Sequence, residues 1–347
     1  MLYLCNSSTL IYFLSSRDHY WNCIDVWDYE LTSIDIDSLR EALKSVVSEV
    51  SKVVVGKREE IEVIVSTLFS EGHILIEGYP GTGKTLLAKS LAKSIGGTFR
   101  RVQGHPDILP TDITGFHIYT VDGRVRFVEG PIFANVVMVD EINRITPRAQ
   151  SALLEAMQER QVTVDGITYK LPRPFIVIAT QMPMSIATGV YPLTETLIDR
   201  FTARVTSFYS RSDEEYEIVA RSDELVAENV ETVLDIKKVV EIIDAIPKLV
   251  YVSERVVKYI VDLVNYIRQH NYVVYGPSHR VAIHLYRIAR VYAAYSGRDY
   301  VIPDDVKKLA KYVIPHRIKL TTEAEAEGYT PERIVEEALS RVSVPKE

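Results

Sequence analysis

The residues best placed to do chemistry form one short segment, GYPGTGKT, at positions 78–85. Gly78, Gly83, Lys84 and Thr85 occupy the fixed places of the pattern G-x-x-x-x-G-K-[ST]. Glycines let such a loop point its backbone N–H groups inward, and the helix that follows adds its positive N-terminal end. Lys84 is expected to reach the β- and γ-phosphates of a nucleotide, and Thr85 to hold Mg²⁺. The segment therefore predicts a P-loop that binds a nucleoside triphosphate.

The elements on both sides of this segment support the prediction. Residues 74–77 (ILIE) are typical of a short buried strand, and residues 86–95 carry apolar side chains at helical spacing. A strand, a glycine-rich loop and a helix, in this order, are the context that a P-loop requires. The residues expected to contact the nucleotide are Gly78, Tyr79, Pro80, Gly81, Thr82, Gly83, Lys84, Thr85 and Leu86.

Two adjacent carboxylates supply the second element of the predicted site. Residues 136–139 (VVMV) predict a buried strand that ends in Asp140 and Glu141. In a P-loop protein, such a strand end suits coordination of Mg²⁺ by Asp140 through water and activation of the attacking water by Glu141 as general base. The pair predicts hydrolysis, because a protein that only binds nucleotide has no need of Glu141.

The composition fits a globular protein of one large or two ordinary domains, with 347 residues, 47% of them hydrophobic and 25% charged. A formal net charge of −7 gives no overall attraction to nucleic acid. The two cysteines, Cys5 and Cys23, form neither a metal-binding nor a disulfide pattern, which fits a reducing cytoplasm.

Residues 1–35 are interpreted as a poorly ordered N-terminal extension, because regular patterns begin only at residue 36. The extension lacks the basic start and the cleavage site of a signal peptide. No stretch of the chain approaches the roughly 20 apolar residues that a membrane-spanning helix needs. We therefore predict no membrane span.

From residue 36 to residue 208, strand patterns alternate with helical ones, which predicts an α/β core with a parallel sheet wrapped by helices. The predicted strands are 74–77, 98–102, 136–139 and 175–179. Asp-Gly pairs at 122–123 and 165–166, each between alternating segments, predict two β-hairpin inserts. Residues 209–347 are predicted to form a small all-α domain with a C-terminal tail. Its predicted helices are 234–246, 253–268, 278–295 and 303–313.

Several segments, taken in order, resemble the MoxR family of AAA+ ATPases. They are the P-loop, DEINR (140–144), LLEAMQERQVTVDG (153–166), YPLTETLIDRF (191–201), GPSHR (276–280) and GRDYVIPDDV (297–306). The resemblance covers residues 36–320. It implies an AAA+ αβα P-loop core with hairpin inserts, a helical lid, and ATP with Mg²⁺ as the nucleotide. It also implies a hexameric ring that remodels a partner protein, often one with a von Willebrand A domain.

The family motifs assign roles to residues outside the P-loop. Arg200 in DRF matches the arginine finger that completes a neighbouring subunit's site, where its charge would stabilise the γ-phosphate in the transition state. Arg280 in GPSHR matches sensor 2, which reaches the γ-phosphate from the lid. Val55 and Gly56 match the segment beside the adenine base. Because a finger acts between subunits, the resemblance implies a homo-oligomer.

One position departs from the family pattern. The family has asparagine after ATQ in the sensor-1 segment, whereas this chain reads ATQMP, with Met182 at that position. Methionine cannot hold a water or a phosphate by hydrogen bonding, and Gln181 faces the opposite way on an extended strand. We expect ATP to bind well and to be hydrolysed slowly, with Thr180 on the same strand face compensating in part.

Three functions stay open at this point. The first is a ring-forming ATPase that remodels a partner protein. The second is a nucleotide-gated assembly scaffold with negligible turnover, which Met182 favours and which Glu141 and Arg200 oppose. The third is a DNA-remodelling motor, in which Arg124 and Arg126 of the first predicted hairpin would contact the DNA. The acidic balance and the absence of basic and aromatic clusters disfavour it, so nucleic acid is not an expected partner.

Overall fold

The structure, a computed structural model, describes residues 34–183 and 188–345. The predicted N-terminal extension, with both cysteines, lies outside the described residues except for its last two positions. The strands are β1 (Ile74–Gly78), β2 (Phe99–Gln103), β3 (Gly115–Tyr119), β4 (Val125–Glu129), β5 (Val136–Asp140), β6 (Gln161–Val164), β7 (Ile167–Lys170), β8 (Ile176–Gln181), β9 (Ala203–Ser207), β10 (Val273–Tyr275) and β11 (Lys319–Leu320).

The helices are α1 (Ile36–Ser51), α2 (Arg58–Phe69), α3 (Lys84–Ser94), α4 (Pro110–Thr114), α5 (Pro147–Gln150), α6 (Ala152–Glu159), α7 (Glu195–Ile198), α8 (Ser212–Ala220), α9 (Ile236–Leu249), α10 (Glu254–Arg268), α11 (His279–Tyr295), α12 (Pro303–Val313), α13 (Thr322–Ala326) and α14 (Pro331–Arg341). Within the described residues, none of them is long and apolar enough to cross a membrane.

Five strands form the central sheet in the order β2-β5-β8-β1-β9, and all neighbouring pairs are parallel. The three middle strands are buried along nearly their whole length, as their continuous apolar sequences require. The carboxyl ends of parallel strands meet at one edge, so the segments that follow β1 and β5 flank the end of β8. This arrangement confirms the predicted α/β class, although β9 was not predicted.

One face of the sheet packs against the short helices α5, α6 and α7. Val137 and Val177 from the sheet, Leu153 from α6, Leu197 from α7 and the following Phe201 belong to one buried cluster. Phe201 and Leu197 have no exposed side-chain surface. The chain around residue 200 is therefore anchored in the core on both sides.

Two antiparallel hairpins, β3–β4 and β6–β7, project from the core at the predicted Asp-Gly pairs. Asp165 and Gly166 have φ values of 50° and 80°, as a two-residue turn between antiparallel strands requires. The hairpins contact each other through His117, whose Nδ1 lies 2.8 Å from the Asp165 carboxylate and whose Nε2 lies 2.9 Å from the Tyr169 hydroxyl. Phe127 stacks on Tyr169, with ring centres 4.0 Å apart. The two inserts thus form one packed unit.

The C-terminal part of the chain is helical, as expected. Asp235, Ser253 and Ser278 each accept a backbone hydrogen bond at the start of α9, α10 and α11. The structure adds a two-stranded antiparallel sheet, β10–β11, which the sequence did not predict. The proposed domain boundary between residues 208 and 209 stays a prediction.

A buried arginine ties the helical part to the segment that precedes β9. Arg317 is 4% exposed, and its guanidinium donates to the main-chain oxygens of Asp199 (3.1 Å), Phe201 and Thr202 (3.5 Å). It also donates to Nδ1 of His284 at 2.8 Å. Burial lowers the pKa of Arg317 to about 10, and the Asp199 carboxylate acts in the opposite direction. The guanidinium therefore stays charged at neutral pH.

The Asp199 carboxylate accepts further hydrogen bonds from residues of the helical part. Its Oδ1 accepts a hydrogen bond from the Ser278 hydroxyl at 2.7 Å, and its Oδ2 accepts one from Arg280 at 2.9 Å. The Nε atom of Arg317 lies 3.4 Å from Oδ1. A hydroxyl and two arginines from the helical part therefore converge on one buried carboxylate next to Arg200.

We expect Arg317→Met to lower the free energy of unfolding by about 3 kcal/mol, the usual cost of removing one partner from a buried ion pair. The substitution leaves several buried carbonyl groups without a donor, and it leaves Asp199 with one cation fewer. Urea denaturation measures the change. Arg333→Met is the matched control, because Arg333 lies on α14 with about half of its side chain exposed and pairs with Glu337 at 3.7 Å. Equal losses from the two variants would contradict this assignment.

Candidate functional site

The P-loop connects β1 to α3 with the conformation that its glycines allow. Gly81 and Gly83 have φ values of 78° and 82°, in the left-handed region that favours glycine. A Cβ atom added at either position would have no heavy atom within 4 Å. The requirement for glycine here is therefore conformational and does not come from crowding.

The ammonium group of Lys84 lies inside this loop. It donates to the main-chain oxygens of Tyr79 (2.5 Å) and Gly78 (3.3 Å) and to the Thr82 hydroxyl (3.2 Å). Burial lowers the pKa of Lys84, and the carboxylates of Asp140 and Glu141 partly oppose this shift. Lys84 lines the same cavity as both acidic residues.

The Thr180 hydroxyl at the end of β8 holds the acidic pair in place. It donates to Oδ1 of Asp140 at 2.5 Å and accepts from the backbone N–H of Glu141 at 2.9 Å. Arg101 of β2 binds the other oxygen of Asp140. Because the single O–H of Thr180 is donated to Asp140, this hydroxyl has no donor left to take the place of the missing sensor-1 amide. One acceptor position of the hydroxyl remains, and the expectation that Thr180 compensates in part for Met182 stays a prediction.

Glu141 follows β5 in an unusual backbone conformation. Its φ of 54° and ψ of 52° lie in the left-handed region, which costs a non-glycine residue free energy. Its carboxylate pairs with Nε of Arg144 at 2.7 Å. This turn, together with the Thr180 contact, brings Glu141 to the edge of the sheet beside the P-loop.

A cavity of about 330 Å³ lies where these segments meet. Its lining consists of Gly78, Pro80, Gly81, Thr82, Gly83, Lys84, Thr85, Leu86, Asp140, Glu141, Thr180, Gln181 and Met182. Met182 stands in this lining where the family pattern has asparagine. The Gln181 amide donates to the Glu77 carboxylate at 2.8 Å, so it is engaged elsewhere. The structure therefore brings the P-loop, the acidic pair and Met182 together.

Besides Arg280, three residues expected to contact the nucleotide do not line this cavity. Tyr79 stacks on Tyr209, with ring centres 5.1 Å apart and planes 7° apart. Gly56 lies against Glu214 of α8, whose carboxyl carbon would be 2.5 Å from an added Cβ atom. Val55 precedes it and is also absent from the lining. The predicted adenine-side segment is thus packed on α8, outside the cavity that the P-loop forms.

Arg200 and Arg280 lie together in a second cavity, which shares no lining residue with the first. Burial and the neighbouring charge of Arg280 lower the pKa of Arg200. Arg280 donates to Asp199 and, at 2.9 Å, to Gln158. These contacts hold Arg280 beside Arg200 and outside the lining of the P-loop cavity, and its predicted contact with a γ-phosphate stays a prediction.

The donors of the P-loop cavity fit a nucleotide with Mg²⁺. Among residues 34–183 and 188–345, no group of three or more His, Cys, Asp or Glu side chains could hold a metal alone. Mg²⁺ is commonly held by one or two carboxylates together with substrate phosphates. The Thr85 hydroxyl and the Asp140 carboxylate, which both line the cavity, would supply the protein ligands.

The sequence alone did not single out Arg101 or Arg144. Arg101 reaches Asp140 because β2 pairs with β5 in a register that places Gln103 opposite Asp140. That contact requires the strand order, which local patterns do not give. Arg144 lies in the DEINR segment, three residues after Glu141, and the single helical turn there brings the two side chains together.

Comparisons with known proteins agree with this geometry. The AAA model (ATPase family associated with various cellular activities) matches residues 73–203, and the AAA lid domain matches residues 266–338. The chaperone MoxR1 of Mycobacterium tuberculosis is 38% identical over 317 residues, which cover 88% of this chain and 82% of that protein. The uncharacterized protein YeaC of Bacillus subtilis is 41% identical over 311 residues, 89% of this chain and 97% of its own.

A solved structure shows the same architecture over nearly the whole chain. The crystal structure of a candidate ATPase from Cytophaga hutchinsonii is 39% identical and superposes with a TM-score of 0.82, covering 90% of this chain and 97% of its own. The sequence identity and the shared fold both extend over most of the chain. The chain belongs to the MoxR family of AAA+ ATPases.

Proposed function

We propose that this protein hydrolyses ATP in a ring of identical subunits and couples hydrolysis to remodelling of a partner protein. One observation carries the proposal. No arginine lines the P-loop cavity, whereas Arg200 and Arg280 line a separate cavity of the same chain. Charge that develops on a γ-phosphate needs such a cation nearby. A neighbouring subunit is the source of that cation in our proposal.

In each P-loop cavity, Lys84 exchanges its contacts with the loop carbonyls for contacts with the phosphates. Thr85 and Asp140 would hold Mg²⁺, which would neutralise phosphate charge when bound. Glu141 turns from Arg144 towards the cavity and accepts the proton of the attacking water. Thr180 keeps Asp140 and the Glu141 backbone in position during this step, since it bonds to both.

The partner is proposed to be a protein and not a nucleic acid. The β3–β4 hairpin exposes Tyr119, Val121 and Val125, an apolar tip suited to a protein surface. Arg124 in the same turn is paired with Asp122 at 3.0 Å, which reduces its value as a phosphate ligand. A hexameric ring and a client with a von Willebrand A domain are the family's usual forms, and we extend them to this chain as proposals. We also retain the cytoplasm as its compartment.

A second candidate function is a scaffold whose assembly ATP controls with negligible turnover. The observation that favours it is that Met182 and Thr180 both line the cavity, while the O–H of Thr180 is donated to Asp140. Neither side chain offers a free hydrogen-bond donor to a water or a γ-phosphate oxygen. The turnover of the wild-type protein, compared with any ATP-dependent change in its oligomer size, separates the two candidates.

Glu141→Gln should bind ATP like the wild type and hydrolyse it at least about 100-fold more slowly, because glutamine cannot accept the water's proton. Lys84→Ala is the comparison that should lose ATP binding. Nucleotide affinity and steady-state phosphate release measure both effects. Wild-type turnover in Glu141→Gln would remove this residue from catalysis. The same variant, loaded with ATP, is the form to use for isolating the partner protein.

Arg200→Ala should bind ATP normally and fail to hydrolyse it, because each P-loop then faces a subunit without the finger. Mixing it with Lys84→Ala subunits should restore part of the activity, since some intact P-loops then adjoin an intact Arg200. Phosphate release is measured over a series of mixing ratios, with subunit exchange verified by labelled chains. Absence of rescue in rings shown to be mixed would argue that Arg200 does not act between subunits.

Met182→Asn should raise kcat by about 10-fold to 100-fold, the range expected for one oriented amide in a polar catalytic site. The gain is expected because the one O–H of Thr180 is already donated to Asp140, which leaves this hydroxyl only as an acceptor. Met182→Leu is the matched control and should behave like the wild type. kcat, ATP affinity and Tm are measured for all three proteins. An unchanged kcat in a stable, ATP-binding Asn variant would show that the missing amide does not limit hydrolysis.

A further inference from the structure

A groove of about 550 Å³, here termed the tyrosine groove, lies at the surface of the helical part between the starts of α10 and α12. Its lining includes two tyrosines, Tyr251 and Tyr300, which are 65% and 52% exposed. Among the described residues, none lines both this groove and either the P-loop cavity or the cavity of Arg200. The tyrosine groove is therefore separate from the residues proposed for hydrolysis.

The backbone holds the two tyrosines side by side. The N–H of Tyr251 donates to the main-chain oxygen of Asp299 at 2.7 Å, and the N–H of Val301 donates to that of Tyr251 at 3.0 Å. These bonds pair Tyr251 with Tyr300 in a parallel bridge. The neighbouring residues Val252 and Val301 are buried. Because side chains alternate along extended backbone, both tyrosines face outward from the core.

A buried ion pair fixes the segment that carries Tyr300. Asp305 accepts two hydrogen bonds from the Arg298 guanidinium, at 2.6 and 2.8 Å, and one from the backbone N–H of Ile302 at 2.9 Å. The same guanidinium donates to the main-chain oxygen of Tyr300 at 3.1 Å. A bidentate pair of this kind is strong and geometrically specific. The groove is thus ordered before a ligand binds, which lowers the entropic cost of binding.

The C-terminal tail shows what kind of segment enters the groove. After α14 ends at Arg341, Val342 has a φ of −74° and a ψ of 125°, close to the values of a polyproline II helix. Proline fixes its own φ at about −65° and disfavours helical backbone at the residue before it, here Val344. Pro345 itself lines the tyrosine groove. An extended segment with a proline therefore already lies against the tyrosines.

The tail covers only part of the available surface. Both tyrosines stay more than half exposed although Pro345 lies in the groove. On α10, Val257 and Val261 are exposed as well. Together with Glu254 of the lining, they occupy positions i, i+3 and i+7, so they extend the apolar surface along one face of the helix. A continuous apolar surface of this kind is typical of a site that binds another protein.

We propose that the tyrosine groove binds an extended, proline-containing segment of a partner protein, and that the chain's own tail occupies the groove until the partner displaces it. Such segments bind to aromatic-lined grooves because polyproline II backbone is already ordered and loses little entropy. Tyrosine combines a large apolar ring with a hydroxyl that can donate to the carbonyl groups of the bound segment. Binding needs no nucleotide, so the inference does not depend on the proposed hydrolysis.

An acetylated peptide of three Val-Pro repeats, added to the full-length protein without nucleotide, tests the site. Calorimetry should show tighter binding to Pro345→Ser than to the wild type, because a tail without the proline ring competes less. In the Pro345→Ser background, Tyr251→Ala and Tyr300→Ala should each weaken binding about 10-fold or more, as expected when an aromatic anchor is removed. Tyr275→Ala is the matched control and should have no effect, since Tyr275 is also exposed but lies outside the lining.

A peptide of three Val-Ala repeats should bind more weakly, because it lacks both the proline rings and the ordered backbone. Equal affinities for the two peptides, or equal losses in Tyr251→Ala and Tyr275→Ala, would overturn the inference. Equal affinities of the wild type and Pro345→Ser would overturn the role of the tail. Absence of peptide binding together with self-association that Tyr251→Ala abolishes, measured by sedimentation, would assign the groove to a second copy of this chain and also overturn the inference. The Tm of each variant verifies that it is folded.

Discussion

The contact between the Arg317 guanidinium and the Asp199 segment determines where the two functional arginines lie. Charges taken out of water are costly unless they are paired and hydrogen-bonded, so the lid cannot leave this segment without stranding either Arg317 or Asp199. Ser278 and Arg280 bind the same carboxylate from the start of α11. The lid is thereby fixed next to Arg200 and not over the P-loop. The separation of the two cavities follows from this one buried network.

The order of the strands determines where the residues of the nucleotide site lie. Because β8 lies between β1 and β5, its last residues are held between the P-loop and the acidic pair. There the Thr180 hydroxyl bonds to the Asp140 carboxylate and to the backbone N–H of Glu141, and so orients both acidic residues. Met182 occupies the next position on the same face. Each chain thus carries a nucleotide pocket and a separate arginine cavity. In the proposed ring, the arginines that the lid of one subunit holds in place would respond to the nucleotide bound by the neighbouring subunit.

Local patterns predicted much of this structure. The P-loop, the β1, β5 and β8 strands and both hairpins follow from periodicity and turn residues, which act over a few neighbouring positions. The edge strand β9 was not predicted, because apolar and polar residues alternate only weakly in its sequence, ARVTS. Its strand conformation depends on pairing with β1. The contact between Arg280 and Asp199 could not be predicted, because the two residues lie 81 positions apart in sequence. An arginine among apolar neighbours in VIPHRIKL was a usable signal that Arg317 is buried.

The left-handed conformation of Glu141 has a consequence for the stability of this turn. A glycine at this position would relieve the strain, and so would an asparagine in part. The proposed general base therefore occupies its turn at a cost in stability, as residues at functional sites often do. A glycine in its place would combine a relaxed backbone with the loss of the carboxylate, so stability and the proposed hydrolysis make opposite demands on this one position.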